Sequence, residues 1–320
     1  MAHSHASTGA RLAFSIALTS AFVVGEGIAG YFANSLALLS DAGHNFADVL
    51  ALLLSWYAHR MARRPADARR TFGYHRVGVL AALVNAVFLV VLALVIFWEA
   101  AQRLASPQPV QPGLMIGVAL AAVAVNGVVG LWLHKEAKHD LNVRSAYLHI
   151  LGDAASALGV VLAGVVTALT GFAAADAVAS FLIGALILAS SWGILREAVD
   201  VLLEAAPKGL DVNALAKALK DLPGVRSIHD LHVWTVASGV AACSCHLVVP
   251  EQTVRAGQQV LRAAAELLRE RFGVAHTTIQ VEVEGCDPDD LYCRIHPAGH
   301  DHDGCDHEHP HGPMEAKSRP

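Results

Sequence analysis

SLALLSDAGHNFADVLALLLSW, residues Ser35–Trp56, decides how this chain is to be read. The run is apolar enough to enter a bilayer and long enough to cross it, since a hydrocarbon core of roughly 30 Å takes about 20 residues of helix. Yet it carries Asp41, His44 and Asp48. An ionisable side chain at the bilayer centre costs on the order of 3 kcal/mol or more, so these groups need compensation. His44 and Asp48 are four apart, which puts them on one helical face, one turn from each other.

Working outward, five more stretches have the same character. The predicted spans lie near residues 10–32, 36–59, 77–104, 112–134, 145–170 and 175–200. The whole chain agrees: it is 54% hydrophobic and 16% charged over 320 residues, and its mean hydropathy is positive. That excludes an ordinary soluble domain. Arg11 before the first apolar run resembles the start of a signal peptide, but no small-residue cleavage pattern closes the run and five further spans follow, so it reads as a retained helix. The connection after the second span, RMARRPADARRTFGYHR, holds six arginines, and the fourth connection adds Lys135, Lys138 and Arg144. The odd-numbered connections hold only Arg103. The even loops and both termini are therefore expected on the cytoplasmic side, and the expected host is a bacterial inner membrane.

Four segments follow: a short N-terminal segment over 1–9, a six-helix membrane bundle over 10–204, a globular domain over 205–287 and a His-rich tail over 288–320. The globular composition begins at about Ala206, punctuated by Pro207 and Gly209. DVNALAKALKDL reads as a helix, SIHDLHVWTV and VAACSCHLVV as strands about Ser238-Gly239, 253–272 as a helix and HTTIQVEVE as a third strand. The α-β-β-α-β order gives a small α/β sandwich. GHDHDGCDHEHPHG is too polar to bury a core and reads as a weak metal collector. All five cysteines follow the last span, where reducing conditions favour metal ligation or burial over disulfides. Asn126 and Gly127, in GVALAAVAVNGVVG, read as packing residues.

The fifth span repeats the opening pattern. YLHILGDAAS places His149 and Asp153 four apart on another apolar helix. The spacing also occurs at His302 and Asp306 in the tail, so location in the membrane is the stronger signal. If the two faces meet, two imidazoles and two carboxylates converge. That set suits a tetrahedral divalent ion, zinc first, with cobalt, cadmium and nickel next, and disfavours magnesium and calcium. Such ligands bind metal when deprotonated, so binding releases protons and an inward pH gradient could drive metal outward.

These residues carry a resemblance to the cation diffusion facilitator family of zinc and other divalent-metal transporters. It runs from about Arg11 to Asp287 through SLALLSDAGHNFAD, RRPADARRTFGYHR, YLHILGD, PGVRSIHDLHVW and HTTIQVE. The resemblance implies a homodimer of six-helix protomers, each with a cytoplasmic ferredoxin-like domain, exporting metal in exchange for protons. It assigns the transport site to His44, Asp48, His149 and Asp153. A competing reading is a membrane-anchored metal sensor or buffer, which would not need ligands at membrane depth. No G-x-S-x-G nucleophile motif is present, so an enzyme is not expected, nor is a nucleic-acid partner.

The globular domain offers a second cluster. Registering the hairpin about Gly239 places His232 opposite His246. Strand alternation sends His229 to the other face unless a bulge intervenes. His276, Gln280 and Glu282 share parity on the third strand. The resemblance points to His232, His246 and Glu282, with His276 as an additional candidate, for a regulatory metal, expected to be zinc. Accessory candidates are Asp41, which either guides ions or caps its span, and His229. Cys286 and Cys293 are candidates to close a peripheral site with His3 or His5. Cys243 and Cys245 have undecided faces. Asp67 and His75, with arginines between them, are not expected to hold metal.

Overall fold

The computed structural model describes residues 19–134, 141–284 and 291–292. Two compact units divide the chain, the first ending at Asp200 and the second beginning at Val201. The helices of the first are α1 (described over 19–33), α2 (Leu36–Ala62), α3 (Val77–Ala105), α4 (Pro112–Leu133), α5 (Leu141–Thr170) and α6 (Ala174–Leu202). Five of them, α2 to α6, are long and apolar enough to cross a membrane, close to the expected bounds. The first predicted span is seen as helix from residue 19, and its earlier part falls outside the described residues.

Why these segments pack as a bundle follows from residue size. The core is rich in small side chains, with Ala33, Ala37, Ala47, Ala93 and Ala119 against Leu38, Leu89, Ile96 and Met115. Small residues let helix backbones approach where lipid offers no hydrophobic drive for association. A Cβ added at Gly164 would lie 2.7 Å from Ile116, and one at Gly184 2.9 Å from Phe97, so both glycines are set by close contact. Gly127, expected to serve packing, has nothing within 4 Å of an added Cβ. Large apolar side chains point outward instead: Leu131, Trp132, Leu169 and Leu182 are each more than 60% exposed. That much apolar surface would be untenable in water and is ordinary against lipid.

The second unit runs α7 (Val212–Lys220), β1 (Ser227–Ala237), β2 (Val240–Val248), α8 (Val254–Phe272) and β3 (His276–Glu282), the predicted α-β-β-α-β order. Asp211 and Thr253 cap α7 and α8, and Gly273 closes α8 in the left-handed conformation (φ 69°). The sheet order is β1-β2-β3, with β1 and β2 antiparallel and β2 and β3 parallel across the α8 connection. Leu215, Leu219, Leu247, Val260 and Leu268 form its core. This is the ferredoxin-like arrangement that the resemblance implies.

One register differs from expectation. His246 stands opposite His229, whereas His232 faces Ser244. The ladder shifts between His229 and His232, where Asp230 adopts φ 50°. A bulge inserts a residue and resets which side chains share a face. A second shift lies between Thr235 and Ala237, and the turn pairs Ala237 with Val240 rather than centring on Gly239; these three one-residue steps move the partner of His246 from His232 to His229.

Candidate metal centres

In the bundle, α2 and α5 bring their His and Asp pairs together. Nε2 of His149 lies 3.2 Å from Asp48 Oδ2 and 3.7 Å from Asp153 Oδ2. Nε2 of His44 lies 3.5 Å from Asp153 Oδ1 and 3.9 Å from Asp48 Oδ2. Each carboxylate thus faces both imidazoles. Ligand atoms about 2 Å from a zinc ion stand about 3.3 Å apart at tetrahedral angles, so the spacing is that of an ion's shell more than of tight hydrogen bonds. Atoms of His44, Asp48 and Asp153 all come within 4.8 Å of one another. His149 joins through the carboxylates and is the most exposed of the four, its side chain at 51%. With both imidazoles neutral, as metal ligation requires, the two carboxylates would carry the charge that a divalent cation balances.

Further buried polar residues lie elsewhere along the bundle. Asp41, 3% exposed, accepts from Ser156 Oγ on α5 at 2.7 Å, and Glu26 on α1, 1% exposed, accepts from Asn45 Nδ2 at 3.0 Å. Asp41 does not cap its helix. Ser35 does, its Oγ accepting from Leu38 N while donating to Asp176 of α6 at 2.6 Å. Asp176 also accepts from the amides of Leu36 and Ala37, and Arg103 of α3 stands 3.8 Å away. Arg103 donates to the Asn34 carbonyl at 2.7 Å. Sequence reading passed over Glu26 and Asp176, although the cost argument that singled out His44 applies equally to any carboxylate in an apolar run.

The second unit holds the other cluster, and its members are His229, His246 and Glu282. Nε2 of His229 lies 2.9 Å from Glu282 Oε2, and Nδ1 of His246 lies 3.0 Å from Glu282 Oε1. The latter contact has the distance but not the direction of a hydrogen bond, so the buried Nδ1 is left without a hydrogen-bond partner. An imidazole nitrogen in that situation fits a metal ligand. Gln280 donates to Glu282 Oε1 at 2.7 Å and fixes the carboxylate. His232 instead pairs with Asp230 at 3.0 Å, and Asp230 also stands 3.6 Å from His246. Asp230 had no signal in the sequence beyond its place in HDLH. His276, paired with Ala242, lies at the other end of β3, about 20 Å along the strand from Glu282.

The remaining candidates separate cleanly. Cys243 and Cys245 are both buried in the core of the second unit. Hydrogen bonding to Cys243, together with burial, holds the Cys245 thiol well above its ordinary range, a poor state for ligating metal. Asp67 accepts from Tyr74 Oη and from the amides of Arg69 and Arg70, which hold its carboxyl below the usual range. Its oxygens serve the turn. Cys286, Cys293, His3, His5 and the His-rich tail lie outside the described residues.

Known proteins share both units. Residues 12–203 match the family model of the cation efflux transmembrane domain, and residues 207–284 match that of the cytoplasmic domain of cation efflux proteins. The zinc transporter ZitB of Shigella flexneri is 37% identical over 94% of this chain and 99% of its own. The metal cation efflux system protein CzcD of Cupriavidus metallidurans is 36% identical over 90% and 92%. A cadmium, cobalt and zinc/H(+)-K(+) antiporter of Bacillus subtilis is 35% identical over 89% and 93%. The solved metal-bound C-terminal domain of the CzcD transporter is 36% identical, covering 23% of this chain and 99% of that one, with a TM-score of 0.21.

Proposed function

Because the chain belongs to the cation diffusion facilitator, or cation efflux, family of membrane transporters, we propose that it exports divalent metal ions in exchange for protons. Zinc is the foremost cargo, with cobalt, cadmium and nickel as further substrates, and His44, Asp48, His149 and Asp153 form the transport site. One observation carries this reading: two helices each present a His and an Asp at membrane depth, with cross-helix N···O separations of 3.2 and 3.5 Å. The relatives' names support the substrate class, since they read zinc transporter and cadmium, cobalt and zinc antiporter.

The chemistry runs through this chain's own donors. Ion binding requires both imidazoles neutral and both carboxylates ionised, so arrival of the cation discharges protons from the set and re-protonation lowers its affinity. With the arginine-rich α2–α3 connection on the cytoplasmic side, both termini are cytoplasmic and export runs away from them, across a bacterial inner membrane. The second unit is a cytoplasmic regulatory domain of a homodimer. There His229, His246 and Glu282 would hold a resident divalent ion, with Asp230 beside His246. Such an ion stabilises the folded domain by mass action.

The test is zinc uptake into inverted vesicles holding the purified protein, with and without an imposed pH gradient. Uptake that requires both the gradient and Asp153 is expected. Gradient-independent accumulation, unchanged in Asp153→Asn, would overturn the assignment.

A further inference from the structure

The connection between α2 and α3 concentrates positive charge. From His59 to Arg76 the chain holds six arginines and a single carboxylate, Asp67. That carboxylate is consumed locally. One oxygen accepts from the amides of Arg69 and Arg70 at 2.8 and 2.9 Å, the other from Tyr74 Oη at 2.6 Å, and Asp67 and Arg70 exchange backbone bonds. The turn so made leaves the guanidiniums outside it. Arg60, Arg63, Arg64, Arg69 and Arg70 are all exposed. Among the described residues none of the five has a carboxylate within ion-pair distance, and Arg70 rests over the Tyr74 ring at 4.9 Å. Five like charges within eleven residues repel one another, and the arrangement favours anions beyond those of the described residues.

The location supplies them. α2 and α3 are both membrane-crossing, so the loop joining them sits at the bilayer surface. Trp56 and Tyr57, near the end of α2, are 59% and 50% exposed, and Phe72 within the loop is 52% exposed. Aromatic rings of this kind mark headgroup level. We propose that this loop is a binding site for anionic phospholipid, its guanidinium forks gripping headgroup phosphates while Phe72 and Trp56 lie along the upper acyl chains. A guanidinium pairs with phosphate through two parallel hydrogen bonds, a geometry that a zwitterionic headgroup offers at lower net attraction. Each such residue adds roughly fivefold to the affinity for an anionic surface. A contact of this kind is saturable and outlasts extraction in neutral detergent, which a mere bias in loop orientation does not require.

Full-length protein in neutral detergent would be titrated with brominated phosphatidylglycerol, brominated phosphatidylcholine or inorganic phosphate, reading tryptophan quenching and melting temperature. Phosphatidylglycerol is expected to quench at roughly tenfold lower concentration than phosphatidylcholine and to raise the melting temperature by several degrees, whereas inorganic phosphate does neither. The variant carrying Arg63→Gln, Arg64→Gln, Arg69→Gln and Arg70→Gln should lose that preference while retaining zinc uptake in phosphatidylcholine vesicles. A preference that survives in the variant, or equal effects of inorganic phosphate, would overturn the proposal. Should the variant fail to fold, salt on the parent protein decides: the preference must collapse between about 0.1 and 0.5 M, and salt-insensitive binding would overturn it.

Discussion

The bundle and the sheet each join histidines to carboxylates, and the two clusters differ in how firmly they are held. In the bundle four N···O separations spread from 3.2 to 3.9 Å, and every pair that crosses between helices depends on the spacing of α2 and α5. In the sheet Glu282 meets two imidazoles at 2.9 and 3.0 Å from neighbouring strands whose ladders fix the positions of all three residues. Helices in lipid can tilt and separate without losing their internal hydrogen bonds, whereas strands cannot part without breaking theirs. A site on helices is suited to an ion that must leave. A site on paired strands is suited to one that stays.

Breaking the mobile site should have the largest effect. Asp153→Asn keeps shape while removing half of the anionic charge, so vesicle flux should fall to background, a loss on the order of 100-fold or more. Flux near the parent level would show that the α5 carboxylate is not a ligand.

The held site is broken by a different histidine from the one sequence counting selects. In a fragment beginning at Val201, zinc at about 100 times its Kd stabilises by about 2.7 kcal/mol, and His229→Ala should abolish that gain. His232→Ala should retain most of it. If the two variants exchanged these behaviours in a melting experiment, the bulge at Asp230 would be wrongly placed.

A subtler change sharpens the contrast. His149→Asp replaces nitrogen with oxygen at the most exposed corner of the bundle site, which should lower the zinc-to-manganese uptake ratio several-fold while leaving zinc stabilisation of the second unit untouched. An unchanged ratio would place His149 outside the shell.

The smallest effect belongs to a carboxylate in neither cluster. Asp67 is held ionised by Tyr74 and two amides. Its depressed folded value means that whatever order it gives the loop is present above the ordinary carboxylate range and is lost as pH falls through that lower value. Asp67→Asn should remove this acid sensitivity of loop proteolysis and barely alter flux. Acid sensitivity persisting in the variant would assign it elsewhere.

The same contrast explains what could be read from the sequence. The i, i+4 spacing fixes a helical face through geometry alone, so His44 with Asp48 and His149 with Asp153 were legible, and apolar length placed α2 to α6 to within a few residues. Strand pairing depends on a running count from the turn, and two one-residue shifts, at Asp230 and between Thr235 and Ala237, change which histidine stands opposite His246. Aspartate tolerates a positive φ better than most residues, but nothing in the local sequence marks Asp230 as one that adopts it. For Asp176 and Glu26 the burial cost was legible in the apolar runs but the partners were not, Ser35 being 141 positions from Asp176.

That last pairing has a mechanical consequence. Asp176 takes the Ser35 hydroxyl and the first amides of α2, and Arg103 reaches both Asp176 and Asn34, so one end of α2 is pinned to α3 and α6. A rod pinned at one end behaves as a lever, with displacement proportional to distance from the fulcrum. At 1.5 Å per residue, His44 lies about 14 Å along it, Asp48 about 20 Å and Ala62 about 40 Å. A swing of about 10° would therefore carry His44 by about 2.4 Å, Asp48 by about 3.4 Å and the arginine-bearing end by about 7 Å. Displacements of that size are comparable to a metal–ligand bond, so a small rotation about the pinned end would suffice to part His44 and Asp48 from His149 and Asp153 while the fulcrum itself stays closed.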